Sequence, residues 1–300
     1  MKALNFNLLI LFFALNVFSC TAVMPENDII SVSDTLIIST FNVRIETSGD
    51  KNQRSWSERK YHVAQLINTY KFDVFGVQEL VNIGQENDLK KFLPSFNSIS
   101  KGRDNDEGSI GERLGIFYNK NRFEEKENGF FFLSSTPNVA SKGWDAALNR
   151  ICLWVKLYDK ITQKEFYFFN VHFDHVGIVA RAESAALTVA KIKQIAGSDI
   201  VFCVGDFNAS PFETAVYNKM VNEFYDSKMA VESENQNTIG TFNSWDITKS
   251  HFPEDVRIDY IFTSKVQILA YKVLTDKYVP DSYPSDHFPV TVKCLMKTEN

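Results

Sequence analysis

The sequence has no surplus of positive charge: 32 lysines and arginines face 37 aspartates and glutamates, a formal balance of −5. An acidic chain gains no general electrostatic pull toward nucleic acid or anionic headgroups, which disfavours long, nonspecific duplex binding. Cysteine is scarce as well. Cys152, Cys203 and Cys294 each lie in an apolar, strand-like run, and with Cys20 they show no ligand spacing. That argues against a disulfide framework or zinc site and for buried free thiols. No H-E-x-x-H segment is present, which counts against a zinc peptidase. A Gly/Ser-rich linker and a repeat of fixed period are also missing, so the chain reads as one α/β body.

The N-terminal apolar stretch, "LLILFFALNVF" within Met1 to Ser19, is too short to span a bilayer comfortably. Its place at the extreme N-terminus after Lys2 marks a secretory signal peptide over 1–19. The following "VFSC" resembles a bacterial lipobox, which implies a lipidated Cys20, a tether over 20–34 and a folded domain over 35–297. Secretion to the periplasm or outer cell surface is the expectation, with the membrane reached through Cys20 only. Losing residues 1–19 removes Lys2 and moves the charge from −5 to −6. A monomer is expected.

Hydrophobic residues make up 44% of the chain and include 26 phenylalanines, enough for broad sheet-packing surfaces. Apolar runs predict strands over 35–42, 72–79, 113–119, 150–158, 164–174, 199–208, 257–264 and 288–296. Helical spacing predicts helices over 57–70, with Ser57 as N-cap, over 178–196, closed by Gly197, and from near Pro211. The aromatic groups "GFFFL" and "FYFF" fit strand cores better than a membrane-contacting hairpin.

Polar residues recur at the ends of these apolar strands: Asn42, Glu79, Asn170 with His172, and Asp206 with Asn208. Asp259 lies in a further strand, and Asp286 and His287 precede the last. Each alone has a plain explanation, such as an Asx-turn at Asp206 or a satisfied core histidine at His172. Six coincidences point to a convergent site on a rigid sheet. Asp206 is the candidate general base, and Asn208, two residues on along an extended backbone, points to the same side. Glu79 is a hard oxygen ligand suited to Mg²⁺ or Mn²⁺, with a carbonyl from Asn42 and Asp286 joining directly or through water.

The ordered set "TFNVR", "GVQE", "FNVHFD", "VGDFN", "RIDYIF" and "SDHFPV", spread from about Leu36 to Val292, resembles the endonuclease/exonuclease/phosphatase superfamily of metal-dependent phosphoesterases. The resemblance implies a four-layered α/β sandwich, with two mixed sheets face to face and helices outside. It also implies that Asn208 holds a phosphoryl oxygen, that His172 contacts the phosphate or the leaving group, that Asp259 orients His287, and that Glu112, six residues before Tyr118, partners His172 while Tyr118 faces the phosphate. Asn170, Arg150 and Arg181 are further phosphate-binding candidates, since an arginine fork suits a phosphate. Trp144 and Asp145 in "KGWDAALNR" are placed near the pocket rim. His62, His251, Asp174 and His175 stay outside the catalytic set. The implied activity is Mg²⁺-dependent hydrolysis of a small or glycan-linked phosphoester. A nuclease and a catalytically silent binding protein are the alternatives.

Overall fold

The apolar run at 35–42 becomes the third strand of a six-stranded sheet and is covered on both faces, so it does not alternate with polar residues. The structure, a computed structural model, describes residues 34–296 apart from 238, 265, 279 and 280. The expected leader and Cys20 lie outside the described residues.

The elements run β1 (Thr35–Asn42), α1 (Trp56–Thr69), β2 (Val74–Leu80), α2 (Asn82–Phe92), β3 (Phe96–Gly102), β4 (Arg113–Asn119), β5 (Phe123–Phe132), β6 (Ile151–Asp159) and β7 (Lys164–His172). They continue with α3 (Ile178–Ala196), β8 (Ile200–Asp206), α4 (Thr214–Val221), β9 (Tyr225–Asp226), β10 (Asp259–Thr263), β11 (Gln267–Val273) and β12 (Val290–Leu295). One sheet has the order β11-β12-β1-β2-β4-β3, the other β5-β6-β7-β8-β10-β9.

Three apolar clusters make the layers. Leu36, Ile38, Val74, Ile116, Phe166, Phe168, Val204 and Val292 belong to the cluster between the sheets. Phe41, Val63, Ile67 and Phe75 join the first sheet to α1, and Phe169, Ala185, Ile192 and Cys203 join the second to α3. Helix, sheet, sheet, helix is the expected four-layered sandwich.

Among the described strands, each sheet has one parallel pair, β1 with β2 and β7 with β8, and a helix links each pair. The C-terminal ends of these four strands therefore carry Asn42, Glu79, His172 and Asp206. The antiparallel neighbours start where those strands finish: Asp259 is registered against Asp206, and Val290 of β12 against Thr40. Residues 286–287 thus reach the same rim.

Helix α1 begins at Trp56 with Ser55 at the N-cap position, two residues before the expected Ser57. Helix α3 matches its expected bounds, and Gly197 closes it at φ 57°. Helix α4 starts at Thr214, after the Pro211 turn. Phe131, Phe132, Leu133 and Phe166 to Phe169 are buried, so both aromatic groups are strand cores. Cys152, Cys203 and Cys294 are buried free thiols. No helix among the described residues is long and apolar enough to cross a membrane.

Candidate active site

Asp206 is the hub. Its Oδ2 accepts a 3.0 Å hydrogen bond from Asn42 Nδ2 and lies 3.6 Å from His172 Nε2 and 3.9 Å from His287 Nε2. Its Oδ1 accepts the Asn208 backbone N–H at 2.9 Å, so an Asx-turn is present and leaves the other oxygen for the site. Gly205 has φ 146°, and a Cβ there would stand 2.1 Å from the Val171 carbonyl oxygen; only glycine lets the chain pass so close to β7. Asn208 corrects the expectation of an extended backbone: it lies beyond the end of β8 in a left-handed conformation, at φ 48°, and its amide donates to the Phe173 carbonyl at 3.0 Å instead of standing free for a phosphoryl oxygen.

Glu79 arrives from the other sheet. Strand β2 breaks register with β4 between Val77 and Leu80, and Glu79 sits in that bulge at φ 63°. A left-handed non-glycine residue costs about 1–3 kcal/mol and persists only where its surroundings hold it. Here Oε1 accepts from Asn42 Nδ2 at 3.0 Å and Oε2 from the Ile45 N–H at 2.9 Å. Asn42 thus ties together carboxylates of two sheets, while its Oδ1 accepts the Arg44 N–H at 3.0 Å. In this arrangement the amide nitrogen, rather than the carbonyl oxygen expected of a metal ligand, faces Glu79 and Asp206.

His287 Nδ1 meets Asp259 Oδ2 at 2.9 Å. Burial alone would lower the pKa of His287, but Asp259, Asp206 and Asp286 outweigh it and push the imidazole up to about 10. His172 is opposite in kind. Burial and the nearby Arg150 lower it to about 3, against the pull of Asp206 and Glu79, so it is neutral at pH 7. Its Nδ1 lies 3.2 Å from Glu112 Oε1, yet that nitrogen has no well-aligned hydrogen bond, so the contact is one of distance only. Burial and Asp259 raise the pKa of Asp206 against the two histidines. For Glu79, burial pushes upward, but His172, His287 and the Ile45 N–H bring the net shift below the usual value.

Asp286 Oδ2 lies 3.6 Å from Arg44 Nη1, and Oδ1 accepts from Ser285 Oγ at 3.3 Å. Burial, then Glu79, raises its pKa against His287 and the arginines. Glu79, His172 and Asp206 offer atoms within 4.8 Å of one another, as do Asp206, Asp259 and His287. Carboxylates this close repel one another, and their hard oxygens fit a small divalent cation.

Three further expected phosphate contacts are corrected by the structure. Tyr118 pairs with Val74, at the start of β2, and its hydroxyl donates to Glu125 at 2.7 Å. Six residues along a strand separate it from Glu112 by roughly 20 Å, so it lies at the wrong end of β4. Asn170 is spent inside the sandwich: its amide donates to the Val77 and Gly115 carbonyls, and its oxygen accepts from Gln78 at 2.6 Å. Arg181 forks onto Glu213 at 2.8 and 2.9 Å and donates to the Asp174 carbonyl, which ties α3 to the loop before α4. Arg150 does lie beside Glu112, His175 and Asp174. Asp145 accepts from the Val179 and Ala180 N–H groups and caps α3, while Trp144 stays exposed.

Arg59 is the part that sequence reasoning missed. Fully buried in α1, it donates to the carbonyls of Val43 at 2.6 Å, Pro284 at 2.9 Å, Arg54 at 2.7 Å and Arg44 at 3.2 Å. Its guanidinium also lies 5.4 Å from the Trp56 ring and 5.3 Å from that of Trp245. It thereby joins the chain leaving Asn42 to the chain entering Ser285–His287. Helical spacing from Trp56 and Val63 was the available signal for a buried position.

Two sheets delivering carboxylates and a charged histidine to one rim define a hydrolase site of the metal-dependent phosphoesterase class. The family model described as Endonuclease/Exonuclease/phosphatase family matches residues 39–287, and the chain belongs to that family, whose members are hydrolases acting on phosphoesters. A mannosyl-6-phosphatase of Bacteroides thetaiotaomicron is 38% identical, with TM-score 0.80 over 87% of this chain and 100% of that one. A second Bacteroides thetaiotaomicron protein of the same family is 37% identical, with TM-score 0.81 over 88% and 99% of the two chains. An uncharacterised protein of Acanthamoeba polyphaga mimivirus is 26% identical over 79% of this chain and 91% of its own length.

Proposed function

We propose that this protein hydrolyses a small or glycan-linked phosphoester outside the cytoplasm, with Mg²⁺ or Mn²⁺ as cofactor. The observation that carries the mechanism is the convergence of Asn42, His172 and His287 on Asp206 Oδ2. The similarity to a mannosyl-6-phosphatase supports a sugar phosphate as the kind of substrate. Secretion, the lipidated Cys20 and a monomeric state complete the proposal.

Glu79 would hold the metal, with Asp286 beside it, while Asn42 keeps its amide nitrogen on Glu79 and Asp206. The bound ion would polarise the phosphoryl group. Asp206 takes a proton from the attacking water as its oxygen bonds to phosphorus and the bond to the leaving oxygen breaks; its raised pKa makes it a stronger base than an exposed aspartate. His287, kept cationic by Asp259, donates from Nε2 to a phosphoryl oxygen and stabilises the charge that builds there. Asn208 holds the turn that aims Asp206, and neutral His172 lines the opposite wall.

Phosphate release from a panel of mannose and glucose 6-phosphates, nitrophenyl mono- and diesters, sphingomyelin and DNA, with Mg²⁺, Mn²⁺ or EDTA, tests this reading. Metal-dependent turnover of the small esters is expected. Turnover of DNA alone, or of no ester by folded protein, contradicts it.

A further inference from the structure

Six large apolar side chains stand exposed on the His172 side of the rim, and the mechanism uses none of them: Trp144, Leu148, Val176, Ile178, Val179 and Phe212. They lie on three segments that hydrogen bonds tie into one piece. Asp174, two residues beyond His172, accepts the N–H groups of Ala147, Leu148, Val176 and Gly177. Asp145 accepts those of Val179 and Ala180 in the first turn of α3, and Arg181 in the same turn forks onto Glu213, the neighbour of Phe212.

Two aromatic residues flank that turn, and the backbone fixes both. Trp144 is left-handed at φ 50°, which for a bulky residue is an outlier that only a constraining environment maintains. Its indole is nevertheless exposed and not spent on the core. Phe212 follows Pro211 in a tight turn that the Glu213 N–H closes onto the Ser210 carbonyl at 3.0 Å. Four residues of chain reach at most about 14 Å, so Phe212 is no further than that from Asn208, at the edge of the hub. A contiguous exposed apolar surface beside a reaction centre marks a binding site.

We infer that Trp144 and Phe212 form a platform for a sugar of a longer glycan, whose phosphorylated terminal sugar lies at Asp206. A sugar presents C–H groups on its ring face and hydroxyls at its edge, so the face packs on an aromatic ring while the edge stays hydrated. The platform is continuous with the reaction centre through Asp174 and the 208–213 turn, so what it binds is joined to the reacting phosphate. The acidic balance of −5 gives the chain no general pull toward anionic lipid headgroups. This inference rests on the sugar-phosphate reading of the catalytic site and narrows it to a glycan-linked ester.

The test uses the full folded domain with Mg²⁺ and two variants. Trp144→Asn keeps a residue that tolerates the left-handed backbone, and Phe212→Ser changes an exposed position that does not endanger folding. The substrates are mannose 6-phosphate and a mannotriose phosphorylated at O6 of its terminal mannose. Wild type is expected to favour the trisaccharide by about tenfold in kcat/KM, the worth of one aromatic contact. Each variant should lose most of that preference through KM, with kcat/KM on mannose 6-phosphate unchanged. No preference in wild type, or equal losses on both esters, overturns the inference. Calorimetric binding of both esters in EDTA supplies a readout independent of turnover. Tighter binding of the trisaccharide that the substitutions abolish supports the platform, and if neither ester is hydrolysed it counts against the catalytic reading alone. Equal affinity for the two esters overturns the inference. Phosphatidylcholine vesicles and sedimentation of the protein alone probe the other occupants. Loss of vesicle binding or of a dimer in the variants, with the glycan preference intact, assigns the surface to lipid or to a second copy and overturns the inference.

Discussion

His172 and His287 face the same oxygen of Asp206, from 3.6 and 3.9 Å, and carry opposite charge states at pH 7. The difference comes from their second neighbours. Asp259 lies 2.9 Å from the far nitrogen of His287, whereas arginines surround the carboxylate behind His172. One imidazole is thereby a fixed donor, the other a neutral wall.

A pH dependence follows from that pair. kcat/KM should rise as Asp206 ionises above the ordinary carboxylate range and fall as His287 loses its proton toward pH 10. Asp259→Asn removes the largest charge that raises His287 and should move the alkaline limb toward neutrality. An unchanged alkaline limb in that variant would assign it to another group.

Stability has a matching dependence, measurable by urea unfolding in EDTA. His287 binds its proton more tightly when folded, so its contribution is full below about pH 6.5 and is lost as the pH rises through 10. His172 is held neutral with a pKa near 3, so the unfolded chain takes up the extra proton and stability falls as the pH drops from 6.5 to 3. Double substitution to glutamine should flatten both slopes.

Arg59→Lys should lower kcat more than it lowers stability. A lysine cannot span four carbonyls from Val43, Arg44, Arg54 and Pro284 at once, so the loops holding Asn42 and His287 lose their shared anchor. A loss of about tenfold to a hundredfold in kcat, from sub-ångström misplacement, is expected, with KM less affected. Wild-type turnover in a folded variant contradicts this role.

Tyr118→Phe and Gly205→Ala separate structure from chemistry. The tyrosine change should leave kcat/KM untouched and cost about 1 kcal/mol for its bond to Glu125. The glycine change forces a Cβ against the Val171 carbonyl and should cost roughly 2 kcal/mol or more, with activity lost because Asp206 is next in the chain.

Much of this was legible in the sequence because buried central strands read as apolar runs and the site sits on their ends. β1, β2, β4, β6, β7, β8, β10 and β12 all appear that way. β3 was missed because an edge strand such as "FNSISKG" is only half-buried, and α2 because "NIGQENDLKKF" is mostly polar. The strand-end residues Asn42, Glu79, His172, Asp206, Asp259, Asp286 and His287 do converge on one rim. Tyr118, implied by the family spacing from Glu112, and Asn170, suggested by its place near a strand end, differ from expectation for one reason: a position in the sequence fixes neither which end of the strand nor which neighbour a side chain meets. Arginines misled in both directions. Arg181, a phosphate-binding candidate, is forked onto Glu213, while Arg59, inside "SERK", carries no local mark of its full burial. Partners that decide an arginine's use lie far off in sequence, so local pattern does not reveal them.

The most direct measurement is kcat/KM of wild type and Asp206→Asn on one phosphomonoester at saturating Mg²⁺, with folding of both checked by thermal unfolding. The expected result is metal-dependent turnover in wild type and a loss of about 10²–10⁴-fold in the folded variant, the range for removing a general base. Turnover within a few-fold of wild type in Asp206→Asn would contradict the assignment of Asp206 as the base at the centre of the site.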